Sequence, residues 1–217
     1  TLWIGNSPAS EDLKRQMALL KGEVSPILIE GESGCGKDVV ANILNQQEPS
    51  RPFITVNVAS IPENLFESEF FGFAKGAFTG ALQSKMGLAE AANGGDLFLD
   101  EIEALPLAQQ AKLLRFLENG EVRRVGSTEV MHVETRIIAA TNENLNKKVA
   151  EGQFREDLLW RLSGHKITIP PLRERKADIS PLCTFFTQRI RPLRNKTFSE
   201  DALEALGKYS WPGNVRE

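Results

Sequence analysis

Gly31-Glu32-Ser33-Gly34-Cys35-Gly36-Lys37 fits the phosphate-binding pattern G-x-x-x-x-G-K, and Asp38 follows it. The chemistry such a run can do is specific. Its glycines let backbone N–H groups turn inward around a β-phosphate, a helix starting there points its positive end at the same oxygens, and the lysine reaches the β/γ oxygens. The bland alternative is a glycine-rich strand-to-helix turn, but strand, loop and helix stand in the required order, which favours nucleotide binding. Asp38 occupies the position of the Ser/Thr whose hydroxyl usually touches Mg²⁺, so a metal must lean on other ligands.

Those ligands come from a second place in the chain. The apolar run Leu97-Phe98-Leu99 ends in Asp100-Glu101, two carboxylates at the edge where sheets of this kind bind ligands. The pair is assigned to Mg²⁺, Asp100 foremost, with Glu101 also polarising an attacking water. Alone, the pair reads as a solvated acidic turn; downstream of a phosphate loop it reads as hydrolysis. Another apolar run ends in Thr141-Asn142, polar residues suited to positioning water or sensing a γ-phosphate, though Thr-Asn by itself is more often a turn.

The elements that must hold these groups are short apolar runs: Pro26–Glu30, Phe53–Val58, Asp96–Asp100, Arg136–Ala140 and His165–Ile169. Each reads as a buried parallel strand. Helical patterns lie between them, such as Leu107 to Glu118 with Leu113, Leu114 and Leu117 on one face. The fold class is therefore α/β, a five-stranded parallel sheet with flanking helices. Pro170-Pro171 breaks the pattern, and Ala177 to Ile190 and Ser199 to Tyr209 read as helices only, so a nucleotide-binding subdomain over 1–170 and a small helical lid over 171–217 are expected. Trp211 to Glu217 resembles the opening of another helix, as in a fragment of something longer.

Composition excludes several classes. The chain has 217 residues, 26 basic and 29 acidic side chains and a net charge of −3. That length supports a core without staples, and the near-neutral balance gives no whole-chain field for gripping nucleic acid. Two cysteines, Cys35 and Cys183, and two histidines, His132 and His165, lie at no zinc-ligand spacing. The absence of a long apolar run and of a signal-like start leads us to expect a soluble, cytoplasmic protein with no membrane partner.

Four further features invite chemistry. Gly76-Ala77-Phe78-Thr79-Gly80-Ala81 is a small-residue segment with one large aromatic at its tip, which either folds back on its own domain or meets a partner. Arg155 and Arg161 stand six apart on an expected short helix, where arginines ordinarily form surface ion pairs. The run Arg189, Arg191, Arg194 and Lys196 is read as a solvated helix end. Cys35 either carries a thiol activated by Lys37 and a helix start or simply fills a small-residue position.

Taken together, these motifs resemble the central AAA+ ATPase domain of bacterial enhancer-binding proteins, the activators of sigma-54 RNA polymerase. The resemblance spans essentially the whole chain and rests on the phosphate loop, Asp100-Glu101, the intact hexapeptide Gly76–Ala81, the stretch Phe154–Leu162, Pro171–Arg175 and Trp211–Arg216. It implies ATP and Mg²⁺ as ligands, with Ile4 and Gly5 near adenine, Asn57 restraining Glu101 until ATP is sensed, Thr141 and Asn142 as first sensor and Arg216 as second. It also implies that Arg155 and Arg161 reach into a neighbouring subunit's ATP, a device worth on the order of 10³ to 10⁵ in rate. The chain departs from the family in Phe73-Ala74, where a His-Glu pair is usual, and in Val58, where a Cys is usual; Asp38 stands where the family commonly has Glu.

The function implied is a homo-oligomeric ring, a hexamer assembled from a dimeric resting form, that hydrolyses ATP and remodels the sigma-54 holoenzyme through the Gly76–Ala81 loop, with enhancer DNA held by a domain outside this chain. The competing reading is a nucleotide-controlled regulatory module without a remodelling stroke, acting with another sigma factor. A helicase or clamp-loader ATPase shares the ATP site but has no reason to carry the hexapeptide.

Overall fold

The apolar runs pair side by side in a computed structural model that describes residues 2–45, 51–190 and 196–217. Its strands are β1 (Ile27–Glu30), β2 (Phe53–Asn57), β3 (Gly72–Phe73), β4 (Lys85–Met86), β5 (Asp96–Asp100), β6 (Glu121–Val122), β7 (Met131–His132), β8 (Arg136–Thr141) and β9 (His165–Thr168). Its helices are α1 (Pro8–Leu19), α2 (Lys37–Asn45), α3 (Glu63–Phe71), α4 (Leu88–Ala91), α5 (Leu107–Asn119), α6 (Leu145–Ala150), α7 (Glu156–Leu162), α8 (Ile179–Arg189) and α9 (Glu200–Lys208). The five strands expected from sequence form one parallel sheet in the order β2-β5-β8-β1-β9. All six residues of β8 are buried, the signature of a strand covered on both faces.

The chain divides into two compact units: one of Thr1–Lys21, Glu30–Gln46 and Ile167–Glu217, the other of Gly22–Ile29 and Gln47–Lys166. In the second, the core gathers strand residues such as Leu97, Leu99 and Ile137 with Phe66, Phe70 and Phe116. The Phe70 ring lies 4.8 Å from Phe71 and 5.8 Å from Phe116, edge to face in both cases, the arrangement the ring quadrupoles favour. Register pairs Asp96 with Arg136 at one edge of the sheet and Asn57 with Asp100 at the other. The first pair is a buried two-point ion pair at 2.9 and 2.6 Å, which fixes where β5 and β8 begin and hence where β5 delivers Asp100.

In the first unit, Leu172, Ile179 and Leu182 form a smaller core, with Ile4, Leu206, Trp211 and Val215 packed on it. Helix α1 starts with Ser7 as its cap, the hydroxyl accepting the Ser10 N–H, and Pro8 follows at the first helical position. The terminal segment differs from the expected helix opening. Trp211 and Asn214 take left-handed φ angles of 50° and 55°, so the backbone turns into a short 3₁₀ segment, Asn214–Arg216. Among the described residues no helix is long and apolar enough to cross a membrane.

Candidate functional site

The phosphate loop runs from the end of β1 to the start of α2 and is shaped by glycine. Gly34 and Gly36 sit at φ +76° and +103°, and a Cβ on Gly34 would come within 2.2 Å of the Gly213 carbonyl oxygen, so neither position accepts another residue without rebuilding. Lys37 is buried and donates from Nζ to the carbonyls of Gly31 and Glu32 at 2.8 and 3.2 Å, which curls the ammonium over the loop. Asp38 is exposed in the first turn of α2, where the helix dipole favours a carboxylate. Cys35 is buried, and burial raises its thiol pKa against the pull of Lys37 and Arg175, the opposite of the shift that activates a thiolate.

Around this loop stand residues that the sequence motifs alone do not single out. Glu32 accepts two hydrogen bonds from Arg173, at 2.8 and 2.6 Å, and one from Asn214 at 3.2 Å. Arg173 first, then Asn214, brings the Glu32 carboxyl down to about 2. The fully buried Asn214 also donates to the Ser33 carbonyl at 3.0 Å and accepts the Leu172 N–H at 2.8 Å, while Val215 N–H reaches Gly34 O at 3.0 Å. Arg216 donates to Ser33 Oγ at 3.1 Å. Both Asn214 and Arg173 lie inside motifs visible in the sequence, but their partners are some 140 to 180 residues away, beyond any spacing rule. A cavity of about 400 Å³ opens beside the loop, lined by Trp3, Ile4, Gly36, Phe185 and Arg189 among others. Gly5 is packed so tightly that a Cβ would meet Asp178 at 2.6 Å. Arg189 stacks its guanidinium 3.9 Å from the Phe185 ring centroid, whereas Arg191 and Arg194 of the basic run lie outside the described residues.

The acidic strand end belongs to the other unit. Asp100 closes β5, and its Oδ1 accepts the backbone N–H of Glu101 at 3.0 Å; Glu101 is left-handed, at φ 56° and ψ 47°. Asn57, exposed at the end of β2, is the register partner of Asp100. Thr141 is fully buried and its hydroxyl is committed to the backbone of Glu143, accepting the N–H at 3.1 Å and donating to the carbonyl at 3.2 Å. That turn leaves Asn142 as the exposed member of the pair. Glu103 is a further acidic group not singled out by sequence: it is buried, Oε1 accepts a long 3.4 Å contact from Asn142 N–H, and Oε2 has no hydrogen-bond partner among the described residues.

Among the described residues no three His, Cys, Asp or Glu side chains gather into a metal cage. The donor set fits Mg²⁺ nonetheless, because this ion keeps most of its ligands as water and phosphate oxygens and needs only one or two carboxylates.

Arg155 caps α7 and Arg161 lies in its last turn. Arg155 is paired with Asp157 at 3.0 and 2.7 Å, which raises the arginine's pKa and lowers the aspartate's. Arg161 donates twice to the Leu117 carbonyl, at 3.1 and 2.8 Å, one of the orphan carbonyls at the C-terminal end of α5. Both arginines are exposed, and six residues on a helix turn them about 120° apart, so they serve different directions.

The hexapeptide is carried by the β3/β4 hairpin. Val125 N–H donates to Gly72 O and Ala74 N–H to Val125 O, both at 2.9 Å, tying the loop to the segment between β6 and β7. Gly76 N–H closes on Ala81 O at 2.9 Å, and Cβ atoms on Gly76 or Gly80 would meet nothing within 4 Å among the described residues. Phe78 is 48% exposed, yet its ring lies 5.0 Å from Phe73. The neighbour is one of the residues named above as departing from the pattern that the sequence resembles.

Residues 3–168 match the Sigma-54 interaction domain family, and residues 173–217 match the AAA+ ATPase lid domain. The chain is 45% identical to the Nif-specific regulatory protein of Klebsiella pneumoniae, over 99% of this chain and 42% of that protein. It is 46% identical to the DNA-binding transcriptional regulator NtrC of Proteus hauseri, over 99% of this chain and 46% of that one. Among solved structures, NtrX from Brucella abortus in complex with ATP superposes with a TM-score of 0.89 at 38% identity, covering 100% of this chain and 50% of NtrX. The chain thus spans about half the length of the relatives it matches. With three quarters of its residues inside one family match and the fold shared throughout, the chain belongs to the Sigma-54 interaction domain family.

Proposed function

We propose that this chain is the Mg²⁺-dependent ATPase of a sigma-54 activator: a cytoplasmic ring protein, hexameric when active, that hydrolyses ATP and remodels the sigma-54 RNA polymerase holoenzyme. The observation that carries the reading is the Gly76–Ala81 loop, a half-exposed Phe78 between two glycines in open space, on a chain of the Sigma-54 interaction domain family. The Brucella abortus NtrX structures with ADP and ATP support the nucleotide.

In this reading residues 1–170 form the nucleotide-binding subdomain and 171–217 the lid, in step with matches to 3–168 and 173–217. Gly31, Glu32, Ser33, Gly34, Cys35, Gly36, Lys37 and Asp38 receive the phosphates, Ile4 and Gly5 flank the adenine, and Arg216 senses the nucleotide from the lid. Asp100, with Glu101 beside it, would hold Mg²⁺, which when bound neutralises and orients phosphate oxygens. Glu101 polarises the attacking water, Asn57 restrains Glu101 until ATP is sensed, and Thr141 and Asn142 register the γ-phosphate. Thr141 acts by fixing the turn that presents Asn142, since its own hydroxyl is committed to Glu143.

Arg155 and Arg161 are supplied to a neighbour's nucleotide. Trp160, 71% exposed on the same short helix, supports that face as a contact between copies, since large aromatics are enriched at such interfaces. Enhancer DNA is held by a region outside this chain.

The experiment that tests the reading is capture of purified sigma-54 in the presence of a transition-state mimic of ATP. Capture that requires the mimic and is lost in Thr79→Ala supports it; a protein that hydrolyses ATP normally but never binds sigma-54 overturns the partner.

A further inference from the structure

Beside the phosphate loop, within the first compact unit, lies a buried ionic network that none of the nucleotide roles above uses. Arg175 and Asp178 are exposed by only 2% and 0%. The Asp178 carboxylate is fully employed: Oδ1 accepts the N–H groups of Asn6 and Ser7, both at 2.8 Å, and Oδ2 accepts the Ser7 hydroxyl at 3.0 Å and the Ser10 hydroxyl. Arg175 Nη1 stands 3.6 Å from the same Oδ2. A buried charge left without such partners would be costly, so the network is built to hold this guanidinium in one place.

What the guanidinium holds in turn is the loop. Its Nε donates to Pro170 O at 3.1 Å and its Nη2 to Cys35 O at 2.9 Å. Its Cζ lies 4.8 Å from the centroid of the Trp3 ring, whose Nε1 is tied to Ser10 Oγ at 2.8 Å. The same ring packs on the loop: a Cβ on Gly36 would come 3.1 Å from it.

The consequence follows from the peptide unit joining Cys35 to Gly36. In a trans peptide the C=O and the next N–H point in opposite directions. Gly36, at φ +103°, has no side chain to bias that unit, and a glycine accepts either orientation. A carbonyl pinned to Arg175 therefore sends the Gly36 N–H the opposite way and removes the freedom to flip.

We infer that Arg175, anchored by Asp178, is a positioning residue of the phosphate loop: by holding the Cys35 carbonyl and the Trp3 ring it presets the Gly36 amide for the nucleotide's phosphates. This rests on the nucleotide-binding reading of the loop and adds to it a residue that acts through the Cys35 carbonyl and the Trp3 ring. Its recognition chemistry is that of a nucleoside di- or triphosphate, because a backbone donor set for β-oxygens is what it preserves.

The test compares Arg175→Lys with the natural full chain. Lysine keeps the charge beside Asp178, but a compact ammonium cannot reach both carbonyls and lie over the Trp3 ring at once. The expected variant folds but melts a few degrees below the natural protein, exchanges its amide hydrogens faster over residues 34–38 without nucleotide, and shows ATP KM raised about tenfold with kcat within about twofold, as loss of ground-state positioning requires. A folded Arg175→Lys with natural exchange rates and natural KM overturns the inference. Should the lysine variant not fold, Arg175→Met removes charge and donors together: faster exchange over residues 34–38 then supports the pin, and natural exchange there overturns it. A natural chain that bound no ADP would overturn the nucleotide reading instead, and exchange measured without nucleotide would still decide for or against the pin.

Discussion

Asp100 accepts the backbone N–H of Glu101 at 3.0 Å, and Glu101 is held in the left-handed region at φ 56°, ψ 47°. A residue with a long side chain resists that conformation by about 1–2 kcal/mol. The local hydrogen bond offsets part of the cost by satisfying an N–H that has just left the strand ladder. The left-handed turn ends the strand between two consecutive carboxyl groups, so Glu101 leaves the alternation of faces that β5 would otherwise continue. Strain of this kind collects where a side chain is placed for chemistry rather than stability.

Glu101 should therefore show opposite signs in stability and activity. Glu101→Gly relieves the left-handed conformation but loosens the unfolded chain, so its stability should equal that of the natural protein or exceed it by up to about 1 kcal/mol. Hydrolysis should be lost in both Glu101→Gly and Glu101→Gln, with ATP still bound by the glutamine variant. Thermal melts and a phosphate-release assay check this; a glycine variant clearly less stable than the natural chain would show that the angle carries no strain.

Which parts can be read from sequence follows from range. Each sheet strand is a short apolar run, and β5 begins and ends at the expected residues, Asp96 and Asp100, because burial of consecutive side chains leaves a mark in the run itself. The β3/β4 and β6/β7 pairs are not among the expected elements: strands two residues long have no periodicity to detect. Phe73 against Phe78, Asn214 on Glu32 and Arg175 on Cys35 are tertiary pairings with no local signature. The phosphate loop and the acidic strand end are legible because each is set by chemistry within a few residues.

The Glu32–Arg173 pair makes a titration prediction. The Glu32 carboxyl, ordinarily near 4.5, is held at about 2. A lowered folded-state value means the pairing contributes stability above pH 4.5 and loses it as pH falls from there towards 2. Both side chains are about two-fifths exposed, so solvent screening keeps the contribution small. Carboxyl-carbon NMR should place the Glu32 midpoint near 2 in the natural chain, well up towards 4.5 in Arg173→Ala, and higher by a smaller step in Asn214→Ala. An unmoved midpoint in Arg173→Ala would assign the lowering elsewhere.

Arg161 should be catalytically important yet structurally cheap. Its two donors serve one carbonyl at a helix end, so Arg161→Ala should cost about 1 kcal/mol or less. On the proposal that the arginine acts on a neighbour's nucleotide, ATPase activity of the variant alone should fall to background, and activity of the natural chain should rise more steeply than its concentration. Mixing Arg161→Ala with Lys37→Ala should restore part of the turnover, since a mixed ring can join an intact pocket to an intact arginine. No recovery at any mixing ratio, with both variants folded and assembled, would place Arg161 in its own subunit's site.

Phe78 separates a folded-back loop from a partner loop. Its ring touches Phe73 at 5.0 Å and is 48% exposed, so the contact contributes about 1 kcal/mol or less, at the lower part of the range for aromatic pairs. Phe78→Ala should melt within a few degrees of the natural chain and hydrolyse ATP at a similar rate, because Lys37, Asp100, Glu101 and the arginines are untouched. Binding of sigma-54 with a transition-state mimic should disappear, as a small set of central contacts, aromatics prominent among them, usually carries most of an interface's energy. Thr79, exposed at the same tip, should behave alike when replaced by alanine. A Phe78→Ala chain that unfolds at much lower denaturant would make the Phe73 contact the purpose of the ring, and one that still captures sigma-54 would move the docking surface elsewhere.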